Sequence, residues 1–161
     1  MKQLRLDWMF GLDLDDVVKI DALSYGEVWT AQDFRKRLTK MPPDVGMVIR
    51  DLDNKVICYV VYRLERAQMI ITRLGVDPCH RRRGFGRALI EGLMVKLARG
   101  KRSRLVVHLS ELALGCQKWL KACGFECVNI YHGEGDQGED VYRFVRGLAV
   151  LTAQQESEVS A

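Results

Sequence analysis

Proline is scarce in this chain, with three residues in 161. The remaining composition, 48% hydrophobic and 29% charged, is that of an ordinary globular protein. Cysteines number five, at positions 58, 79, 116, 123 and 127, and no two stand in a CxxC pair. An odd count without that spacing argues against a disulfide or zinc framework, and the thiols read as reduced, mostly buried small hydrophobes. No apolar run approaches the ~18 residues that a membrane span requires. The opening MKQLRLDWMF lacks the apolar stretch of a signal peptide, so the expected location is the cytoplasm, with no membrane partner. The length suits one domain, expected over residues 1–147, followed by a disordered tail over 148–161. Internal repeats and low-complexity segments are missing too.

What is present is clustered positive charge. The net charge is only +4, with a pI near 8.9, short of what a dedicated nucleic-acid binder shows over its whole surface. Yet Arg81, Arg82, Arg83 and Arg87 fall in one run, and Lys101, Arg102 and Arg104 follow the next helix. A local anion site fits that distribution better than a general basic surface.

Periodicity predicts the order strand, two helices, three strands, helix, strand, helix, two strands. Asp13 is the expected N-cap of the first helix, where Leu14, Val17 and Ile20 recur on one face. In WTAQDFRKRL, Thr30 caps the second helix, Asp33 reaches back, and Trp29 and Phe34 stand as a hydrophobic staple. Met47–Arg50, Val56–Leu64 and Met69–Val76 have strand character, joined by turns at DLDNK and ERAQ. The clearest helix follows the arginine run, with apolar residues from Phe85 to Leu97 and a stop at Gly100. RLVVHLSE then reads as a buried strand, Cys116–Ala122 as a short helix, and FECVNIY and VYRFVR as the last strands.

The stretch DPCHRRRGFGRAL, residues 77–89, lies between a strand and a helix. A glycine-bearing turn there aims unpaired backbone N–H groups outward, and the helix dipole adds positive potential. Such a terminus binds phosphate well. The bland alternative is a solvated charge run at a helix start. Two other phosphate motifs are excluded: no Gly-Lys-Ser/Thr ending makes a Walker loop, and Leu89 stands where a Rossmann fingerprint needs a third glycine or alanine.

Residues 75–89, with Arg81-x-x-Gly84-x-Gly86, resemble the acetyl-CoA motif of the GNAT superfamily of N-acetyltransferases. More narrowly, the chain resembles the bacterial ribosomal-protein alanine N-acetyltransferases of the RimI type. DLDDVVKIDALSY, WTAQDF, GVDP, LKACGF and GED occur in that family's order, and the likeness runs from Leu14 to Arg146. It implies an α+β (mixed α/β) fold: a twisted, mostly antiparallel sheet of about seven strands with helices on both faces. Its fourth and fifth strands would splay into a V for the pantetheine arm. The cofactor implied is acetyl-CoA, with no metal. Leu74, Gly75 and Val76 would bond the pantetheine, Arg82, Arg83, Gly84, Phe85, Gly86 and Arg87 would wrap the pyrophosphate, and Arg81 leads the motif. On this model the phosphates of coenzyme A compensate the arginines.

The catalytic positions depart from the family. Where RimI-type relatives carry a glutamate base this chain has His108, where they carry a tyrosine acid it has Leu120, and their asparagine is Ala113. A neutral imidazole serves as a base near neutral pH, and a thiolate departs without full protonation. His108 is therefore the expected catalytic residue, set against the plainer reading of an ordinary histidine in a sheet. Glu111, Tyr131 and Cys116 are weaker candidates for proton transfer. Tyr25, Trp29 and Tyr131 are the expected acceptor-side residues, with core packing as the plainer role of Trp29. Acids in the loop before the last strand (Glu134, Asp136, Glu139 and Asp140) suit a cationic acceptor or a solvated loop equally.

Two readings follow. One is an acetyl-CoA-dependent N-acetyltransferase acting on a protein N-terminal α-amine or a small amine by direct attack in a ternary complex. The other is a non-catalytic acyl-CoA-binding regulatory module. Nucleic acid is not expected as a partner, and monomer and homodimer both remain open.

Overall fold

Alternation along the strands decides which helices each face of the sheet receives. The computed structural model describes residues 4–148. Its elements are β1 (Asp7–Trp8), α1 (Leu14–Ala22), α2 (Ala31–Thr39), β2 (Val45–Arg50), β3 (Val56–Leu64) and β4 (Gln68–Val76). They continue with α3 (Phe85–Arg99), β5 (Arg104–Ser110), α4 (Leu114–Ala122), β6 (Glu126–Tyr131) and β7 (Val141–Gly147). The expected order is the observed one, and α4 begins two residues earlier than its periodicity predicts. Apart from Leu148, the expected tail lies outside the described residues.

One sheet runs β1-β2-β3-β4-β5-β7-β6, antiparallel at every pair except β4–β5. Met47, Ile49, Val60, Tyr62, Leu105 and Phe144 share one core with Leu89, Leu93, Leu97 and Leu120 of α3 and α4. Val48, Tyr59 and Val61 face the other way, onto Leu14, Val17, Ile20 and Phe34 of α1 and α2. Helices therefore cover both faces of the sheet.

The second helix starts as its sequence predicts. Thr30 Oγ1 accepts from the Asp33 N–H at 3.2 Å, and Asp33 Oδ2 accepts from the Thr30 N–H at 2.8 Å. Trp29 and Phe34 meet edge to face, 5.2 Å between ring centroids. Thr30→Ala leaves the Asp33 amide without its partner, so we expect the urea midpoint to fall by about 0.5 M, the usual size of a lost cap. An unchanged midpoint removes the cap from the list of stabilising features.

The first helix corrects its expectation. Asp13 holds the N-cap position of α1 but makes no side-chain cap there, because a 3-10 turn over Gly11–Asp13 runs directly into α1 and moves the helical start upstream. Asp13 instead accepts from the Phe10 N–H at 2.7 Å and pairs with Arg50, whose Nη2 lies 2.6 Å from Oδ2.

Two irregularities shape the functional end of the sheet. β4 and β5 pair only over Gln68–Ile71 and Arg104–Val107. Beyond that point β4 stays with β3 and β5 stays with β7, so the two parallel strands part into a V. The second irregularity is a bulge at the same place. Val61 pairs with Arg73 and Tyr62 with Ile71, which leaves Thr72 as the extra residue. Its Oγ1 donates to the Val61 carbonyl at 3.0 Å. The bulge reverses the alternation. Met69 and Ile71 face the α3/α4 core, and beyond the bulge it is Leu74 and Val76 that do so. Arg73 is thereby turned toward α1.

Candidate active site

The V opens into a cleft of about 160 Å³. Its walls are Ile71, Thr72, Arg73 and Leu74 of β4, Val107, His108 and Leu109 of β5, Ile90 of α3, and Cys116, Trp119 and Leu120 of α4. Tyr25, from the segment between α1 and α2, closes one side. Most of this lining is apolar, and its polar groups are few.

The loop from β4 into α3 begins just past the β4 end of the cleft, at Asp77. The first helical hydrogen bond of α3 runs from the Ala88 N–H to the Gly84 carbonyl at 2.9 Å. The preceding N–H groups therefore have no partner within the helix. Gly84 has φ +84°, which only glycine adopts without strain, while a Cβ there would meet nothing within 4 Å. Gly86 is needed for a different reason. It is buried, and a Cβ on it would lie 2.9 Å from Trp119 Cζ2 and 3.6 Å from Val76 Cγ2. It lets α3 and α4 close on each other.

Two of the four arginines also brace the protein itself, through hydrogen bonds to neutral carbonyl and hydroxyl groups. Arg81 Nε donates to the Val76 carbonyl at 3.0 Å, and Nη2 donates to the Leu23 carbonyl at 3.3 Å and to Ser24 Oγ at 3.1 Å. It ties the end of β4 to the C-terminal end of α1, where a cation also suits the helix dipole. Arg87 Nη2 donates to the Ala122 carbonyl at 2.6 Å and pins the end of α4. Arg82 and Arg83 are exposed on the turn, and Arg82 holds φ +60°. Phe85 packs edge to face on His80, 5.8 Å between centroids. Gly75 lets β4 lie against α1, since a Cβ would approach Tyr59 to 2.7 Å and Ile20 to 3.0 Å.

His108 lines the cleft from β5, opposite Arg143 of β7 and 6.1 Å from the Tyr131 ring. Partial burial lowers its pKa below the ordinary 6.5, and the charges of Arg143 and Arg63 lower it further against a small opposing effect of Glu65. The imidazole is thus neutral at neutral pH, the form that accepts a proton. Leu120 is 2% exposed and belongs to the core. Ala113 provides no side-chain cap for α4, and Gln117 secures that turn instead, donating to the carbonyls of Ser110 and Glu111 at 3.1 and 3.0 Å. Glu111 is committed to the loop, its Oε1 accepting from the Asp140 N–H at 2.9 Å.

Of the three expected acceptor-side aromatics, Tyr25 lines the cleft and Tyr131 stands against His108. Trp29 is elsewhere, packed on Phe34 behind Arg73. That wall depends on a pair the sequence reading missed. Fully buried Asp21 takes Arg73 Nε and Nη2 at 2.7 and 2.9 Å, the Trp29 N–H at 3.0 Å and the Tyr59 hydroxyl. Burial alone would raise the Asp21 carboxyl, but these donors hold it below the usual carboxylate range. The Arg73 guanidinium lies 3.8 Å from the Tyr25 ring centroid and 4.6 Å from that of Trp29. Two signals marked the pair: an arginine inside the apolar strand MIITRLGV, and an aspartate beside Ile20 on the buried side of α1.

Comparison with known proteins adds the family. Residues 14–125 match the model described as the acetyltransferase (GNAT) family. No curated protein matches the chain. Among solved structures, the ribosomal-protein-S18-alanine N-acetyltransferase of Escherichia coli superposes with a TM-score of 0.77 at 16% identity, covering 92% of this chain and 96% of that one. NAA60 of Arabidopsis thaliana, solved with acetyl-CoA, gives 0.72 at 19% identity over 90% and 98%. A spermidine N-acetyltransferase chimera from Vibrio cholerae and hSSAT gives 0.74 at 17% identity over 99% and 100%. At these identities the likeness carries the fold.

Proposed function

The chain belongs to the GNAT acetyltransferase family, and from that premise we propose that it moves the acetyl group of acetyl-CoA onto a primary amine. The acceptor we favour is a protein N-terminal α-amine, as in the RimI type, ahead of a small amine. Attack is direct, with both substrates bound. One observation carries the reading: where β4 and β5 part, a single cleft is lined by Leu74 of β4, Ile90 of α3 and the neutral His108 imidazole of β5.

The residues present fit coenzyme A. The free N–H groups ahead of Ala88 and the exposed Arg82 and Arg83 suit a pyrophosphate. The apolar V between β4 and β5 suits an extended pantetheine arm. Acetyl-CoA supplies the activated thioester. The β4 backbone where the strands part would polarise the thioester carbonyl as negative charge grows on its oxygen. His108 takes the amine proton.

The choice of acceptor follows from proton equilibria. An α-amine has a pKa near ~8 and an ε-amine near ~10.4, so at pH 7 about one α-amine in ten is neutral against about one ε-amine in 2,500. A base whose pKa is itself lowered removes little of that deficit, so it serves the α-amine better. We expect free thiol to be released from acetyl-CoA with peptides bearing a free N-terminus, and mass spectrometry to place the acetyl group on the α-nitrogen. N-terminally blocked lysine peptides should react far more slowly. If coenzyme A binds but nothing in a panel of peptides and small amines releases thiol, the regulatory-module reading replaces this one.

A further inference from the structure

The Tyr25 hydroxyl occupies the part of the cleft where a ligand oxygen would sit. Leu74 lies beyond the point where β5 leaves β4, and its N–H and C=O do not bond to β3. Both turn to Tyr25 instead: the Leu74 N–H donates to Oη at 3.2 Å, and the Tyr25 O–H donates to the Leu74 carbonyl at 2.6 Å. One phenol thus satisfies two backbone groups that the parting of the strands had left without a partner. Burial raises the Tyr25 pKa, so the hydroxyl remains protonated and able to make both bonds at neutral pH.

Two features hold the phenol there and leave it a way out. The Arg73 guanidinium lies over the ring face at 3.8 Å and is itself fixed by Asp21, so the stack is anchored to the core. The ring is nonetheless 36% exposed, on a connecting segment between α1 and α2 rather than inside an element. A side chain so placed can turn toward solvent without breaking a helix or a strand.

We propose that Tyr25 is a built-in competitor for acyl-CoA, an internal plug that the pantetheine arm must displace from Leu74. The proposal rests on the reading that the V holds pantetheine. Displacement exchanges the phenol for a ligand oxygen at the same N–H, and frees the Tyr25 hydroxyl within the cleft that His108 also lines. Cofactor binding would thereby prepare the acceptor side before the amine arrives.

The test compares wild type with Tyr25→Phe in calorimetric titrations with two ligands. Coenzyme A carries pantetheine; 3′,5′-ADP carries the nucleotide and phosphates without it. Removing the hydroxyl should tighten coenzyme A about three- to tenfold, the worth of a released hydrogen bond, and leave 3′,5′-ADP unchanged. Tyr25→Leu removes the same hydroxyl by another route and should give the same gain. Equal or weaker coenzyme A affinity in both variants overturns the plug, as does an equal change for both ligands. Failure of wild type to bind either ligand overturns the function proposed above, and the plug with it.

Discussion

His108→Ala should lower turnover about 10²-fold, the lower end of what a positioned general base contributes. The affinity for coenzyme A should barely move. His108 alternates with Val107 and Leu109, whose side chains pack into the α3/α4 core, so the imidazole projects from the other face of β5, away from α3. The pH profile separates catalysis from packing. In wild type, kcat should rise with pH through an ionisation below the ordinary histidine value, because burial, Arg143 and Arg63 all favour the neutral ring. In kcat/KM the acceptor amine adds a second limb at higher pH. The variant should keep the amine limb and lose the histidine limb. His108→Glu restores the family's carboxylate and should recover much of the activity. Wild-type turnover in His108→Ala with both limbs intact would return His108 to the status of a sheet residue.

Most of the fold was legible because local signals agreed with one another. β3 occupies Val56–Leu64 as its β-branched run predicts, and the Thr30 cap is made by the residues that spell it. Asp13 misled because the 3-10 turn before α1 has no periodicity of its own, and a carboxylate near a helix start reads as a cap whether it bonds the helix or an arginine 37 residues away. The turn over residues 81–87 was legible as a motif, but the packing of its parts was not. Sequence shows that arginines and glycines are close together; it does not show which arginine is taken by a carbonyl or which glycine faces a tryptophan. Arg81 and Arg87 brace α1 and α4, and that follows from tertiary packing alone. The same holds for Asp21 and Arg73, separated by 52 residues and joined only when the Thr72 bulge turns Arg73 toward α1.

That division of labour sets the second large effect. Gly86→Asp should weaken coenzyme A binding by about 10²-fold or more. The variant puts a negative charge in the first turn of α3, the end of the helix that would receive the phosphates, and like charges there repel. Packing adds to the loss, since any Cβ at Gly86 meets Trp119 at 2.9 Å, an aromatic ring buttressed between α3 and the cleft. α4 must shift, and with it the wall that carries Cys116, Trp119 and Leu120. This variant should therefore also melt earlier than wild type. Reversing Arg82 and Arg83 together to glutamate isolates the electrostatic part. Both side chains are exposed on the turn, so their replacement should leave thermal stability near the wild-type value while coenzyme A affinity falls steeply. Raising the salt concentration should narrow the gap between that double variant and wild type, because exposed charges are screened. Wild-type affinity in the double variant would mean that the backbone N–H groups of α3 hold the phosphates unaided. Wild-type affinity in Gly86→Asp would remove the turn from the cofactor site altogether.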